Sequence, residues 1–363
     1  MNNSPTRRFS STRRKMWAKL ALAGLAVGVV AEARPAKAQY VGHVSAMVLD
    51  ANTGTVLAQS DPDLQRYPAS LTKLMTLYLA FKSLKAGQMT LDSAIPVSIH
   101  AASMAPSKLG LVPGTQFTVE QAILALVTKS ANDAACALGE YLGGGDEVRF
   151  ANIMTQQARA MGMSNTTFRN ASGLPDPEQV TTARDLAMLT QHLVAEFPEY
   201  YHYFSVPAFY FHRRLVPNHD PMLKTYAGAD GLKTGYTDLA GHNLVTSAAR
   251  GNVRLIGVVL GSRSNPQRSQ IMTALLDKGF SDEGVAPMAP LVQVMARNSV
   301  VHRRVIHHVP VAPDAAVEVA EAPTGGRAFR PVTHGHHHTV AHLRLVSAKH
   351  VVTRKKKPSH RRG

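Results

Sequence analysis

Strand-like runs stand at both ends of residues 39–287 and helix-like runs fill the interval, an order that few folds satisfy. Val44-Ser45-Ala46-Met47-Val48-Leu49 and Thr55-Val56-Leu57-Ala58 flank a turn rich in Asp, Asn and Gly, which reads as a hairpin. Near residue 70 the period changes. Leu71, Leu74, Met75, Tyr78, Leu79 and Phe81 recur at helical spacing, with Pro68 just before them and Ser70 in the first turn. A second apolar helix is predicted over 119–128, broken around Ser130, and a third over 133–142. Residues 144–200 read as mostly helical, with a loop at 170–175. Strands return at 231–235, 243–249 and 253–260, and a helix over 268–278 closes the segment. The expected fold is α/β of the α+β type: an antiparallel sheet of about five strands between helical layers, its first hairpin pairing with the last three strands.

Three short motifs fall on this frame in one order: Ser70-Leu71-Thr72-Lys73, Ser130-Ala131-Asn132 and Lys233-Thr234-Gly235. Each alone is weak, and together they describe a serine acyl-transfer site. A serine hydroxyl is a poor nucleophile until a base removes its proton. Ser70 and Lys73 are three residues apart, so their side chains share one helix face. A desolvated lysine loses its proton near neutral pH and serves as that base. Ser130 and Asn132 sit at the break between two helices. There Ser130 can relay a proton to a leaving amine, and Asn132 can hydrogen-bond a substrate amide. Lys233 supplies fixed positive charge on a strand, Thr234 a hydroxyl for a carboxylate, and Gly235 a bare stretch beside which a substrate backbone can lie as an added strand.

With these residues in hand, the segments 67–75, 129–134 and 230–237 resemble the signatures of low-molecular-mass penicillin-binding proteins, the serine-type D-alanyl-D-alanine carboxypeptidases. Residues 181–186 and 240–244 are similar to further segments of that family. The resemblance covers residues 40–285. It implies the DD-peptidase/β-lactamase-like fold and removal of the terminal D-Ala from peptidoglycan stem peptides through an acyl-enzyme, with β-lactams as acylating inhibitors. It also implies an oxyanion hole from the backbone N–H groups of Ser70 and Tyr236, and a hold by Arg268 on the substrate's terminal carboxylate. A D,D-endopeptidase or a β-lactamase on the same fold is the alternative. Against the β-lactamase, no Glu-x-x-Leu-Asn segment lies between Glu140 and Asp230 to serve deacylation. No cofactor and no metal are expected.

The formal charge of +16 suggests nucleic acid, but its distribution argues against that partner. Residues 1–38 carry +7 and residues 302–363 carry +9, which leaves the intervening part neutral. Residues 1–38 read as a signal peptide: five basic residues between Arg7 and Lys15, an apolar run over 20–31, and Ala36-Lys37-Ala38 as a cleavage site. The protein is expected to be exported to the periplasm or cell envelope by the general secretory route. Residues 288–363 form a basic tail rich in His and Pro, expected to be disordered. It stands where many family members carry a β-rich domain and an amphipathic anchor, and an anionic membrane or envelope surface is its expected partner. Cys136, the single cysteine, is expected to be a small buried apolar residue without a base beside it.

Overall fold

The computed structural model describes residues 42–288; the predicted signal peptide and nearly all of the predicted tail lie outside the described residues. The expected sheet is present. Strands β1 (Ser45–Asp50) and β2 (Val56–Ser60) form the first hairpin, and β7 (Ala229–Thr237), β8 (Gly241–Arg250) and β9 (Val253–Ser262) form the last three strands. Their order in the antiparallel sheet is β2-β1-β9-β8-β7. The first hairpin turns because the Asp50 Oδ1 accepts from the backbone N–H groups of Asn52 (3.0 Å) and Thr53 (2.7 Å), and Gly54 takes φ +72°. Two small ribbons that the sequence reading does not contain complete the β structure: β3 (Ala94–Pro96) with β4 (Gln116–Thr118), and β5 (Ala208–Phe211) with β6 (Arg214–Pro217). Strands of three and four residues are too short for alternation to show.

The helices fill the interval. They are α1 (Lys73–Lys85), α2 (Ile99–Ser103), α3 (Val119–Leu124), α4 (Asn132–Leu142), α5 (Glu147–Ala160) and α6 (Ala183–Glu196), with α7 (Asn265–Asp282) after the last strand. Alternation on β9 divides the core. Ile256, Val258 and Leu260 face the helical region together with α1, while Leu255 and Val259 meet Met272, Leu276 and Phe280 of α7. Helix α1 is buried nearly all round, from Lys73 through Phe81, so it forms the centre of the helical region rather than an amphipathic cover.

Two differences from the sequence reading bear on function. The helix of 119–128 ends as α3, and residues Ala125–Lys129 continue as a π-turn that closes on Ser130 in a left-handed conformation (φ 59°, ψ 37°). The loop expected at 170–175 is present and extends over residues 161–182, where the flanking stretches were expected to be helical. Gly162 and Gly173 at φ +85° and +86° break the helical pattern, and bridges pair Arg66 with Thr181 and Thr167 with Val180.

Candidate active site

Ser70 lies in a 3-10 turn, Ala69–Thr72, and α1 begins only at Lys73. In a 3-10 turn residues three apart eclipse, which sets Lys73 over Ser70. The Lys73 amine lies 3.2 Å from Ser70 Oγ, donates to Asn132 Oδ1 at 2.7 Å, and donates to the backbone carbonyl of Ser172. Lys73 is fully buried. Burial, reinforced by the charge of Lys233, pushes its pKa well below the ordinary lysine value, while the more distant Asp133 and Glu147 oppose the shift. An amine so placed can accept a proton from the serine hydroxyl.

The turn that carries Ser70 is fixed from three sides. Ala69 takes φ +49°, and a Cβ on Gly173 would stand 1.9 Å from its carbonyl oxygen, so the 170–175 loop packs where only glycine fits. Asn243 of β8 donates through Nδ2 to the carbonyls of Tyr67 (2.9 Å) and Pro68 (3.2 Å), and its Oδ1 accepts from Gly261 N–H (2.9 Å). Gly235 of β7 gives the third side. A Cβ there would lie 3.2 Å from the Ser70 nitrogen and from the Pro68 oxygen. The missing side chain thus serves close packing against the serine turn, and β7, last in the sheet order, keeps a free edge beside it.

The opposite wall comes from the π-turn and α4. The left-handed backbone at Ser130 aims its side chain into the cleft, where its buried Oγ has no hydrogen-bond partner among the described residues. Asn132 is 5% exposed, and both ends of its amide are engaged within the protein: Oδ1 by Lys73, and Nδ2 with the Ala105 carbonyl at 2.9 Å. Its position therefore serves to orient Lys73, a use the sequence reading did not contain. Asp133 accepts from the N–H groups of Leu109, Gly110 and Leu111 at 2.8–3.0 Å, tying the 105–111 loop to the start of α4.

Lys233, on β7, is 2% exposed and donates to the Thr234 carbonyl at 2.9 Å. Burial lowers its pKa to about 7; the Asp220 carboxylate resists that shift and the Arg268 guanidinium adds to it. Arg268 enters from α7, 4% exposed, with Nη1 3.5 Å from the Asn243 carbonyl. Tyr236 is half-exposed, its ring stacked on His242 at 4.4 Å between centroids and its hydroxyl donating to Asp238 at 2.7 Å. Burial and Arg268 push the His242 imidazole down, and burial with Lys129 and Lys233 does the same to His219, which favours both as neutral rings.

Together these elements enclose a cleft of about 560 Å³. Ser70, Ser130, Thr234, Gly235, Tyr236 and Arg268 line it, and Lys73, Asn132 and Lys233 lie buried behind its surface. Sequence reading did not reach roles for the Ser172 carbonyl, Asp220 or His219, and it quoted His242 and Asn243 only within the familiar segment 240–244. The Ser172 carbonyl and Asn243 act on partners about 100 and 175 residues away, and the loop at 170–175 and the segment 240–244 were the local signals.

The D-alanyl-D-alanine carboxypeptidase model, peptidase S11, matches residues 32–264. The D-alanyl-D-alanine carboxypeptidase DacC of Escherichia coli is 37% identical over 252 residues, which cover 67% of this chain and 63% of that protein. Penicillin-binding protein 5 from Haemophilus influenzae superposes with a TM-score of 0.63 at 34% identity, over 67% of this chain and 72% of that one. Penicillin-binding protein D2 from Listeria monocytogenes, in an ampicillin-bound form, superposes with a TM-score of 0.57 at 32% identity, over 65% and 96%. The chain spans 60–66% of the length of three curated relatives it matches. The match runs through all three motifs and the sheet that holds them, and the chain belongs to the D-alanyl-D-alanine carboxypeptidase family, peptidase S11.

Proposed function

We infer that the protein is a serine D-alanyl-D-alanine carboxypeptidase that releases the terminal D-Ala of peptidoglycan stem peptides and is acylated by β-lactams. The observation that carries this reading is the Lys73 amine, fully buried, with a depressed pKa, 3.2 Å from Ser70 Oγ. The substrate lies along the free edge of β7. Its terminal carboxylate meets Thr234, Lys233 and Arg268, a set of donors with one buried carboxylate, Asp220, behind it.

Ser70 Oγ attacks the carbonyl carbon of the scissile peptide bond while Lys73 takes the hydroxyl proton. The developing oxyanion is met by the N–H groups of Ser70 and Tyr236. The proton then passes from Lys73 to Ser130 as Ser130 Oγ gives its own to the leaving amine of D-Ala, and the C–N bond breaks. Lys73, neutral again, takes a proton from water as the water oxygen attacks the acyl carbon; the bond from that carbon to Ser70 Oγ then breaks, and Lys73 returns the proton to Ser70 Oγ, which frees the carboxylate product and restores the hydroxyl. The unsatisfied Ser130 hydroxyl in the cleft supports the relay, and the Asn132 bond to Lys73 keeps the amine aimed. Export to the periplasm or envelope belongs to the same reading, as does adhesion of the basic tail to an anionic surface. Among the described residues, no helix is long and apolar enough to cross a membrane.

Incubation with a fluorescent penicillin and with a D-Ala-D-Ala pentapeptide tests the proposal. Covalent label and D-Ala release are expected from the wild type. Ser70→Ala should lower both by ~10⁴-fold or more while the circular dichroism spectrum is kept. Labelling that persists in the folded variant overturns the assignment.

A further inference from the structure

Away from the cleft, α2 packs against α4 and brings together three side chains of different chemistry. His100 Nδ1 lies 2.9 Å from Glu140 Oε1 and 3.4 Å from Cys136 Sγ, and the thiol lies 3.8 Å from Glu140 Oε1. Cys136 is buried in the apolar core, as expected, but the expectation that no base stands beside it is corrected. Its sulfur faces an imidazole and two carboxylates, because α4 and α5 carry Glu140 and Glu147 to it. No sequence spacing announces the group, since His100 is 36 residues from Cys136.

We propose that His100 Nδ1, Cys136 Sγ and Glu140 Oε1 form a Zn²⁺ site with a fourth, water-filled position. Tetrahedral zinc with bonds of roughly 2.0–2.3 Å sets its ligand atoms about 3.3–3.7 Å apart, and the three separations bracket that range. A thiolate, an imidazole and a carboxylate select zinc over magnesium or calcium. One thiolate and one carboxylate balance the double charge of the ion. Two further side chains stand beside the ligands. Glu147 Oε2 is 3.9 Å from His100 Nε2, outside hydrogen-bonding distance, and a small shift would let it accept the ring N–H when Nδ1 binds metal. Ser98 Oγ donates to Glu140 Oε1 at 2.9 Å. The thiol itself points at Glu147 Oε2 at 3.4 Å. Binding forms the S–Zn bond and breaks S–H, and the proton leaves through that carboxylate to solvent. The His100 side chain is 55% exposed, which leaves the fourth position open to water and the ion an entry.

The site adjoins the cleft at one remove. Glu147 Oε1 accepts from Ala171 N–H at 3.0 Å, the Ala171 carbonyl accepts from Thr76 Oγ1 at 2.7 Å, and the next carbonyl, of Ser172, receives the Lys73 amine.

Cobalt(II) titration of the full chain under a non-chelating reductant provides the test, because thiolate bound to cobalt gives a near-ultraviolet charge-transfer band. Cys136 is the only cysteine, so the histidines at 334–338 cannot produce this band even if they bind cobalt. The band is expected in the wild type, is displaced by Zn²⁺, and vanishes in Cys136→Ser. His100→Ala and Glu140→Gln should each shift its midpoint to at least about tenfold higher cobalt concentration. Circular dichroism checks folding, and His100→Ala, at a half-exposed position, keeps the test open if Cys136→Ser fails to fold. A folded wild type without the band overturns the site, as does a midpoint unmoved by both His100→Ala and Glu140→Gln.

Discussion

Two buried amines face one cleft, and burial pushes both toward neutrality, yet their surroundings divide their work. Lys73, at the start of α1, is held by a hydroxyl, an amide oxygen and a backbone carbonyl, with no carboxylate in hydrogen-bonding range among the described residues. Lys233, on β7, has one acceptor, the carbonyl of the next residue, and the Asp220 charge to support its ammonium form. The two charges also oppose each other, and with Lys233 as the ammonium its charge helps keep Lys73 deprotonated. Burial makes either lysine a candidate base, and the neighbouring charges decide which one is. In the proposed chemistry Lys73 moves protons, and Lys233 stays charged for an anionic substrate.

Exchange of each lysine for arginine breaks this comparison most directly. Lys73→Arg keeps the charge but cannot give up a proton, so β-lactam acylation should fall by ~10²–10⁴-fold. Lys233→Arg keeps what that position needs, and a displaced charge that weakens the transition state by about 1–2 kcal/mol should cost about 5- to 30-fold. Stopped-flow acylation of the two variants gives the ranking, and the reverse order would end the division of labour.

The pH profile sharpens the same contrast. Lys73 must be neutral to act, so the rate rises with pH through its depressed pKa. Lys233 must be charged, so the rate falls as pH passes about 7. The profile of kcat/KM for the free enzyme should therefore be a bell whose alkaline limb belongs to Lys233. Lys233→Arg should move that limb upward and leave the acid limb in place. An alkaline limb unchanged in the arginine variant assigns it to another group.

Asn243→Ala offers a smaller effect. It removes both bonds to the Tyr67 and Pro68 carbonyls and the acceptor of Gly261, and should lower stability by ~1–3 kcal/mol in thermal unfolding. Acylation should slow with both limbs of the pH profile where they were. Smallest of all, deletion of residues 289–363 should leave turnover of a soluble peptide unchanged, while salt-sensitive sedimentation with anionic vesicles is lost. Loss of turnover on the soluble peptide would place the tail within the working domain.

What could be read from the sequence follows contiguity. Ser70 and Lys73 sit in one motif because their chemistry needs one turn, and Ser130 and Asn132 in another because a helix break presents both. The sheet order was readable from strands at the two ends of the segment. Asn243 was quoted only as part of a familiar segment, since nothing in residues 240–244 tells that its amide reaches Tyr67 and Pro68. The Ser172 carbonyl was equally hidden, because every residue has one and only packing chooses it. Gly235 was read for its bare edge, while its close approach to the Ser70 nitrogen depends on a turn about 165 residues earlier. The stretch 161–169 passed for helix because Met161, Met163 and Phe168 are buried there without a helical backbone, whereas the loop at 170–175 was read as one.

Strand β1 has its central neighbour at the far end of the fold: Ser45 pairs with Leu260 and Asp50 with Leu255. A growing chain therefore makes β1 first and must complete nearly the whole domain before β9 exists to receive it. Contacts spanning roughly 200 residues carry a large loop-closure cost and form late. Until then the leading hairpin has only β2 beside it, and a lone two-stranded ribbon is marginal in water. A polypeptide whose front end cannot settle until its back end arrives stays slack through most of its synthesis, which suits the export proposed above, since the serine turn would form only after passage.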